Sequence, residues 1–81
     1  MELVETVNLM NSTDYKERFK AEYYQTKIRY DKLHEMIIKY DADTLGFVPD
    51  TPTNLLREQE RYMGEYLRIL ELRAEIEKIE L

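Results

Sequence analysis

The sequence contains no cysteine and only one histidine, His34. The missing thiols exclude disulfides, thiolate catalysis and thiolate zinc sites, and a single imidazole excludes a histidine-rich metal cluster. No apolar run approaches the roughly 20 residues that a helix needs to cross a bilayer, and the first residues lack the cationic start of a signal peptide. We therefore expect a cytoplasmic protein with no cofactor, no metal site and no membrane association.

Glycine and proline are also scarce, with two of each, and three of these four residues lie between residues 40 and 56. Proline lacks a backbone donor and keeps its preceding residue out of the α region, so Pro49 and Pro52 both oppose a continuous helix. The stretch reads YDADTLGFVPDTPTNLL. It predicts a connector between two helices, and the second helix is expected to have Thr51 as its N-cap and Pro52 at its first position.

The connector itself contains three apolar residues. Leu45, Phe47 and Val48 are expected to pack against the helix ends near Tyr40 and Leu56, which would order the connector. On this expectation, truncating Phe47 to alanine would cost roughly 3–5 kcal/mol, the usual penalty for a buried phenylalanine.

Charge and length set further limits. The chain has 81 residues, with 17 acidic and 12 basic side chains and a net charge of −5. Duplex DNA binding depends on neutralising phosphates, so this balance disfavours it. Seven tyrosines and two phenylalanines favour a folded chain. A hairpin of this length buries little surface, and we therefore expect it to self-associate.

Apolar periodicity predicts an all-α fold, an antiparallel two-helix hairpin with a short N-terminal apolar arm that assembles as a helical oligomer. The predicted bounds are an arm over residues 1–12 and a hairpin domain over 13–81, with helices at 13–40 and 52–79 and a connector at 41–51. The first helix is expected to start near Asp14, with Glu17 as its capping-box partner. No helix breaker ends the second helix before the chain does.

The first helix carries a heptad-like seam at steps of three and four residues, formed by Tyr15, Phe19, Tyr23, Thr26, Tyr30, Leu33, Ile37 and Tyr40. Further apolar residues widen this surface and indicate a second contact face. The arm could be a helical edge or an extended segment, packed on the hairpin, packed on another subunit, or frayed.

The sharpest chemical pattern lies on the second helix. Arg57, Arg61, Gly64 and Arg68 fall at i, i+4, i+7 and i+11, which is one helical face. Guanidinium groups suit phosphate, and a glycine inside a helix costs about 1 kcal/mol, so it needs a reason. One interpretation is an anion site. In the other, these arginines pair with neighbouring glutamates and Gly64 lets another helix approach.

On the first helix, Lys20, Lys27 and His34 repeat every seven residues among the tyrosines. Tyr23 and Tyr30 could stack a nucleobase, although tyrosines at helical spacing more often form core and interface. His34 is more readily explained as a solvated residue than as a general base. No nucleophile is paired with a base and no glycine-rich phosphate loop is present, so we expect no enzymatic activity.

From Asp14 onward the chain resembles a family of small, mostly uncharacterised proteins from bacteriophages of gut bacteria. The matching segments are DYKERFKAEYYQTKIRYDKLHEMIIKYDADTLGF, PTNLLREQ and MGEYLRILELRAEIE. The resemblance covers about residues 14–81 and implies a phage protein, a helical hairpin and a location in the host cytoplasm. It implies no catalytic residues.

Two functions are compatible with these patterns. Some phage proteins that sequester cyclic-nucleotide or ADP-ribose immune signals are small helical hairpin oligomers, and this chain resembles them in architecture alone. In the first hypothesis it is such a sponge, with a ligand site at Arg57, Arg61, Gly64, Arg68, Tyr23 and Tyr30. In the second it is an acidic inhibitor that binds a host defence or nucleic-acid enzyme through glutamates such as Glu71, Glu75, Glu77 and Glu80.

Overall fold

A computed structural model describes all 81 residues. A short 3-10 helix at Leu3–Thr6 leads into α1 at Val7–Met10, followed by the two long helices α2 at Tyr15–Asp41 and α3 at Thr53–Glu77. There are no strands. The predicted all-α class is confirmed. None of the helices combines the length and the apolar character that crossing a membrane requires.

The start of α2 is fixed by a local cap. The carboxylate of Asp14 accepts a hydrogen bond from the Lys16 amide at 2.9 Å, as an N-cap aspartate does. The predicted capping box is wrong in its second half, because Glu17 makes no hydrogen bond to the Asp14 amide. Ser12 Oγ accepts from that amide instead, at 3.0 Å.

The start of α3 also differs from the prediction. The N-cap is Pro52, and no side chain caps the helix. With ψ at 137°, Pro52 is extended, and its carbonyl accepts hydrogen bonds from the amides of Leu55 and Leu56. Proline thus precedes the helix instead of opening it, and Thr51 lies outside.

The end of α3 comes two residues before the predicted one. Lys78 adopts a left-handed conformation with φ of 58°, which turns the chain back on the helix. The Ile79 amide donates to the Ala74 carbonyl at 2.8 Å, which is the six-to-one bond of a Schellman motif, and the Lys78 amide donates to the same carbonyl, as in an αL cap. The reversal brings Ile79 into the core, where it is buried. Burial of this side chain ends the helix where no glycine or proline does.

The two long helices contact each other along their length. Tyr15, at the start of α2, donates a hydrogen bond to Glu77 at the end of α3, and Asp41 at the end of α2 pairs with Arg57 near the start of α3. The buried core joins the first half of α2 to the second half of α3, through Phe19, Tyr23, Leu67, Leu70, Ala74 and Ile79. Only 9 of 81 residues are buried, so most apolar side chains of both helices remain at least partly exposed.

The N-terminal segment is helical and packs on α2. Thr6 is fully buried, and its hydroxyl donates to the Leu3 carbonyl at 2.7 Å. The same hydroxyl accepts from the side-chain amide of Gln25 on α2, at 2.9 Å. A polar contact therefore fixes the segment, and the apolar residues Val4 and Val7 point to solvent.

The apolar residues of the connector do not pack against the helix ends as predicted. Phe47 is 59% exposed and Val48 is 87% exposed, while Leu45 is half-buried beside the end of α2. Two helices leave no third layer at their joined end, and nothing covers these side chains within one chain. The expected large cost of truncating Phe47 is therefore wrong for the single chain.

Candidate functional site

The arginine stripe predicted on one face of α3 contains Arg57, Arg61 and Arg68. These three side chains lie on an exposed flank of α3 in three different environments. Arg57 forms a bidentate pair with Asp41, which lowers the pKa of that carboxyl through the hydrogen bonds from the guanidinium. The guanidinium of Arg61 lies 4.6 Å from the ring centre of Tyr62. Arg68 has no ion-pair partner. The three groups therefore do not converge on one point.

Gly64 lies against the ring of Tyr30. A β-carbon built at Gly64 would lie 3.4 Å from Tyr30 Cε2 and 3.5 Å from the hydroxyl oxygen. The missing side chain thus gives room to an aromatic ring of the neighbouring helix. A β-carbon would therefore meet the ring at ordinary van der Waals distance, and the space at Gly64 is closed by Tyr30.

The two tyrosines assigned to base stacking are differently placed. Tyr23 is 7% exposed and belongs to the core, where its hydroxyl donates to Glu71 at 2.8 Å. Burial, and then this hydrogen bond to a carboxylate, raises the pKa of Tyr23 to about 12. Tyr30 stacks on His34 with ring centres 6.0 Å apart. Burial argues against a stacking role for Tyr23, and one face of Tyr30 is already occupied.

None of the six predicted site residues lines a cavity. Two of the three basic residues predicted beside the tyrosines have partners, since Lys27 pairs with Asp31 and His34 with Glu60. The six residues thus do not share a recess in the single chain.

A concave site exists on the opposite flank, between the N-terminal segment, α2 and α3. It encloses about 470 Å³, within the roughly 300–1,000 Å³ of typical small-molecule sites. Its polar lining comes mainly from α2. These lining side chains are Arg18, Glu22, Gln25, Thr26 and Arg29, with Gln59 and Tyr66 facing them from α3.

The two arginines of this cavity carry uncompensated charge. Arg18 donates to the carbonyl oxygen of Ser12 at 2.9 Å, a contact that orients the guanidinium without neutralising it. Arg29 makes no hydrogen bond to the chain, and neither arginine has a carboxylate within ion-pair distance. With Glu22 as the only acid in the lining, the cavity is net positive. Guanidinium groups with free donors and an adjacent tyrosine ring suit a phosphate-bearing aromatic ligand.

Sequence reasoning missed these residues, although the signal was present. Arg18, Glu22, Gln25 and Arg29 fall at i, i+4, i+7 and i+11, the same spacing as the stripe on α3. The pattern on α3 holds three arginines and a glycine and drew the prediction there. The concave wall on α2 depends on Met10 and the N-terminal segment, which local spacing does not place.

A second cavity, of about 500 Å³, lies at the C-terminal end of α3. Its polar lining is acidic and consists of Glu71, Glu75 and Glu80. Glu77 lies outside it and is held by Tyr15 and Arg73, whose hydrogen bonds lower the pKa of Glu77. This cavity repels anions. The basic cavity that suits the first hypothesis and the acidic cavity that suits the second therefore lie in different parts of the chain.

A family model described as Sequestin matches residues 13–76, which are 64 of the 81 residues. The chain belongs to the Sequestin family. The resemblance seen in the sequence from Asp14 onward is thereby confirmed as membership of a family. The Sequestin match includes all of α2 and all but the last residue of α3, so it covers both arginine patterns. No curated protein matches the chain, and no solved structure matches it either.

Proposed function

We propose that this member of the Sequestin family is a phage-encoded antagonist of bacterial immunity that sequesters a phosphate-bearing nucleotide signal without turning it over. It acts in the host cytoplasm as a homo-oligomer of antiparallel helical hairpins. The name Sequestin suggests sequestration and supports a binding function. The resemblance to small phage proteins supports the setting, and cyclic nucleotides or ADP-ribose derivatives are the ligand classes to test.

The observation that carries this proposal is the pair of arginines in the cavity on α2. Arg18 and Arg29 face a space large enough for a small nucleotide, and neither is neutralised by a carboxylate. Each charge-assisted contact to a phosphate is worth about 1.5–3 kcal/mol. Tyr66 offers an aromatic surface at the same cavity, and Gln25 and Gln59 offer amide groups for a base or ribose. The arrangement provides recognition and lacks a nucleophile activated by a base.

Arg29→Ala is the sharpest variant for testing this site. Arg29 is exposed and makes no contact that the fold depends on, so its loss should leave the free energy of unfolding unchanged. Calorimetric titration against cyclic di- and trinucleotides and ADP-ribose derivatives should show a ligand whose Kd rises roughly ten- to a hundredfold in this variant. Arg68→Ala is the matched control, because Arg68 is also an exposed, unpaired arginine on a long helix. Its Kd should equal that of the wild type.

Comparing the ligand Kd of the two variants also shows where the phosphate binds. If Arg68→Ala weakens binding and Arg29→Ala does not, the stripe at Arg57, Arg61 and Arg68 holds the phosphate. If the wild type binds none of these nucleotides, the sponge proposal is abandoned. Heat denaturation of a loaded sample should release the ligand with its mass unchanged, whereas a converted product would show an enzyme.

The alternative function is an acidic inhibitor of a host defence or nucleic-acid enzyme. The acidic cavity of Glu71, Glu75 and Glu80 favours it, since three carboxylates line one recess at the end of the rod. This function predicts that Glu75→Lys with Glu80→Lys abolishes protection of a phage from host defence and leaves nucleotide binding intact. The sponge proposal predicts that Arg29→Ala weakens nucleotide binding and protection together, and that the double lysine variant changes neither.

A further inference from the structure

The outer face of α3 carries an apolar stripe that nothing covers. Leu55, Tyr62, Ile69 and Ile76 follow one another at intervals of seven residues, with exposed fractions of 53%, 57%, 50% and 78%. They lie on the side of α3 away from the buried Leu67, Leu70 and Ala74. One apolar residue in each heptad, kept over three intervals, forms an exposed apolar line along the helix, and contiguous exposed apolar surface usually marks an interface.

One edge of this stripe carries charges of alternating sign. Glu58, Arg61, Glu65 and Arg68 are spaced by three, four and three residues. The chain forms five ion pairs elsewhere, yet none of these four side chains takes part in one. The guanidinium of Arg61 instead leans over the ring of Tyr62, a member of the stripe. The unpaired charges thus border the uncovered apolar surface.

This edge is complementary to itself when reversed. Read from Arg68 back to Glu58, the order of charges is the opposite of the forward order and the spacing is unchanged. In an antiparallel pair, one register therefore sets Glu58 against Arg68 of the second copy and Arg61 against Glu65 of the second copy. This register centres the two-fold axis on Met63, so Tyr62 lies one residue from the axis and Leu55 lies two residues from the level of Ile69 of the second copy. The two apolar stripes therefore overlap to within about 3 Å along the helix axes when the charges pair.

We propose that the outer face of α3 is the dimer interface, occupied by the same face of a second copy running antiparallel. The contact is isologous, so each pairing occurs twice and the assembly closes as a dimer. This deepens the homo-oligomer of the proposed function by naming its surface. It assigns Arg61 and Arg68 to assembly, and none of the four stripe residues lines the cavity at Arg29.

Sedimentation of the full chain across micromolar concentrations tests the apolar stripe. The wild type should sediment as a dimer or a multiple of dimers, and Ile69→Lys should yield a folded monomer with unchanged helical circular dichroism. Ile38→Lys is the matched control, because Ile38 on α2 is exposed to a similar degree, 54%, and should not change the assembly. A monomeric wild type, a dimeric Ile69→Lys, or disruption by Ile38→Lys would each overturn the proposal.

The charged edge is tested by mixing two variants. Arg61→Glu alone sets glutamate against glutamate across the interface, and Glu65→Arg alone sets arginine against arginine, so each should raise the dimer Kd roughly tenfold or more. An equimolar mixture should recover the wild-type Kd as a heterodimer, because both pairings are again opposite in sign. Effects confined to one helix would not be rescued by mixing, and failure of the rescue would refute the antiparallel register. Nucleotide titration is not involved, so a missing ligand leaves this result intact.

Discussion

Replacing Gly64 with alanine isolates the reason for a glycine in the middle of α3. Alanine is favoured over glycine in a helix interior by about 1 kcal/mol. The new methyl group would meet the Tyr30 ring at 3.4 to 3.7 Å, which is van der Waals contact and not overlap. We therefore expect Gly64→Ala to raise the free energy of unfolding by about 1 kcal/mol. For a domain of this size, that raises Tm by roughly 4–8 °C.

Gly64→Leu provides the contrast. Leucine is nearly as good a helix former as alanine, but its longer side chain must displace the Tyr30 ring, an overpacking that typically costs about 1–3 kcal/mol. Thermal unfolding followed by circular dichroism at fixed protein concentration measures both variants. A fall in Tm for Gly64→Ala would mean that Tyr30 cannot yield at all and would refute this account. A loss of nucleotide affinity with unchanged Tm would return Gly64 to the ligand site.

Three further predictions follow from the helix end, the core and the connector. Lys78→Gly should raise the free energy of unfolding by about 1 kcal/mol in chemical denaturation, since glycine adopts the left-handed conformation at no steric cost; a loss would show that the lysine side chain contributes to the cap. The pKa of Tyr23 is raised from 10.0 to about 12 in the folded state. The contribution of this shift to the free energy of unfolding is complete below pH 10 and should fall by up to about 3 kcal/mol as pH rises through 12. A Tyr23→Phe variant with the same alkaline loss would contradict this. In the monomeric Ile69→Lys variant, adding Phe47→Ala should change Tm by less than about 5 °C, because the ring is mostly exposed. A larger fall would mean that Phe47 packs against the helix ends after all.

Features that depend on neighbouring residues were predictable from the sequence. The cap at Asp14 follows from aspartate chemistry acting over two residues, and the break between the helices follows from Pro49 and Pro52. The all-α class follows from apolar periodicity that both long helices share. These signals are local, and no distant contact overrides them.

The missed features depend on residues far apart in the chain. Lys78 is left-handed because Ile79 gains burial against the core, and lysine itself gives no such signal. Thr6 is buried because Gln25, nineteen residues later, completes its hydrogen bonding. The cavity at Arg29 needs the N-terminal segment as a wall. The spacing of its arginines alone therefore could not show that this pattern, and not the arginine stripe on α3, lines a cavity. Curvature, and not residue type, distinguishes the two patterns.

The uneven placement of the core along the rod affects how the chain tolerates cutting. The apolar cluster joins the first half of α2 to the second half of α3, far from the connector, whose tip carries exposed Phe47 and Val48. The exposed tip of the connector should therefore be the first site that a protease cleaves. The two fragments would remain bound to each other, because their shared core lies at the other end of the rod. The connector would then raise the rate at which the two helices associate, although their association does not require it.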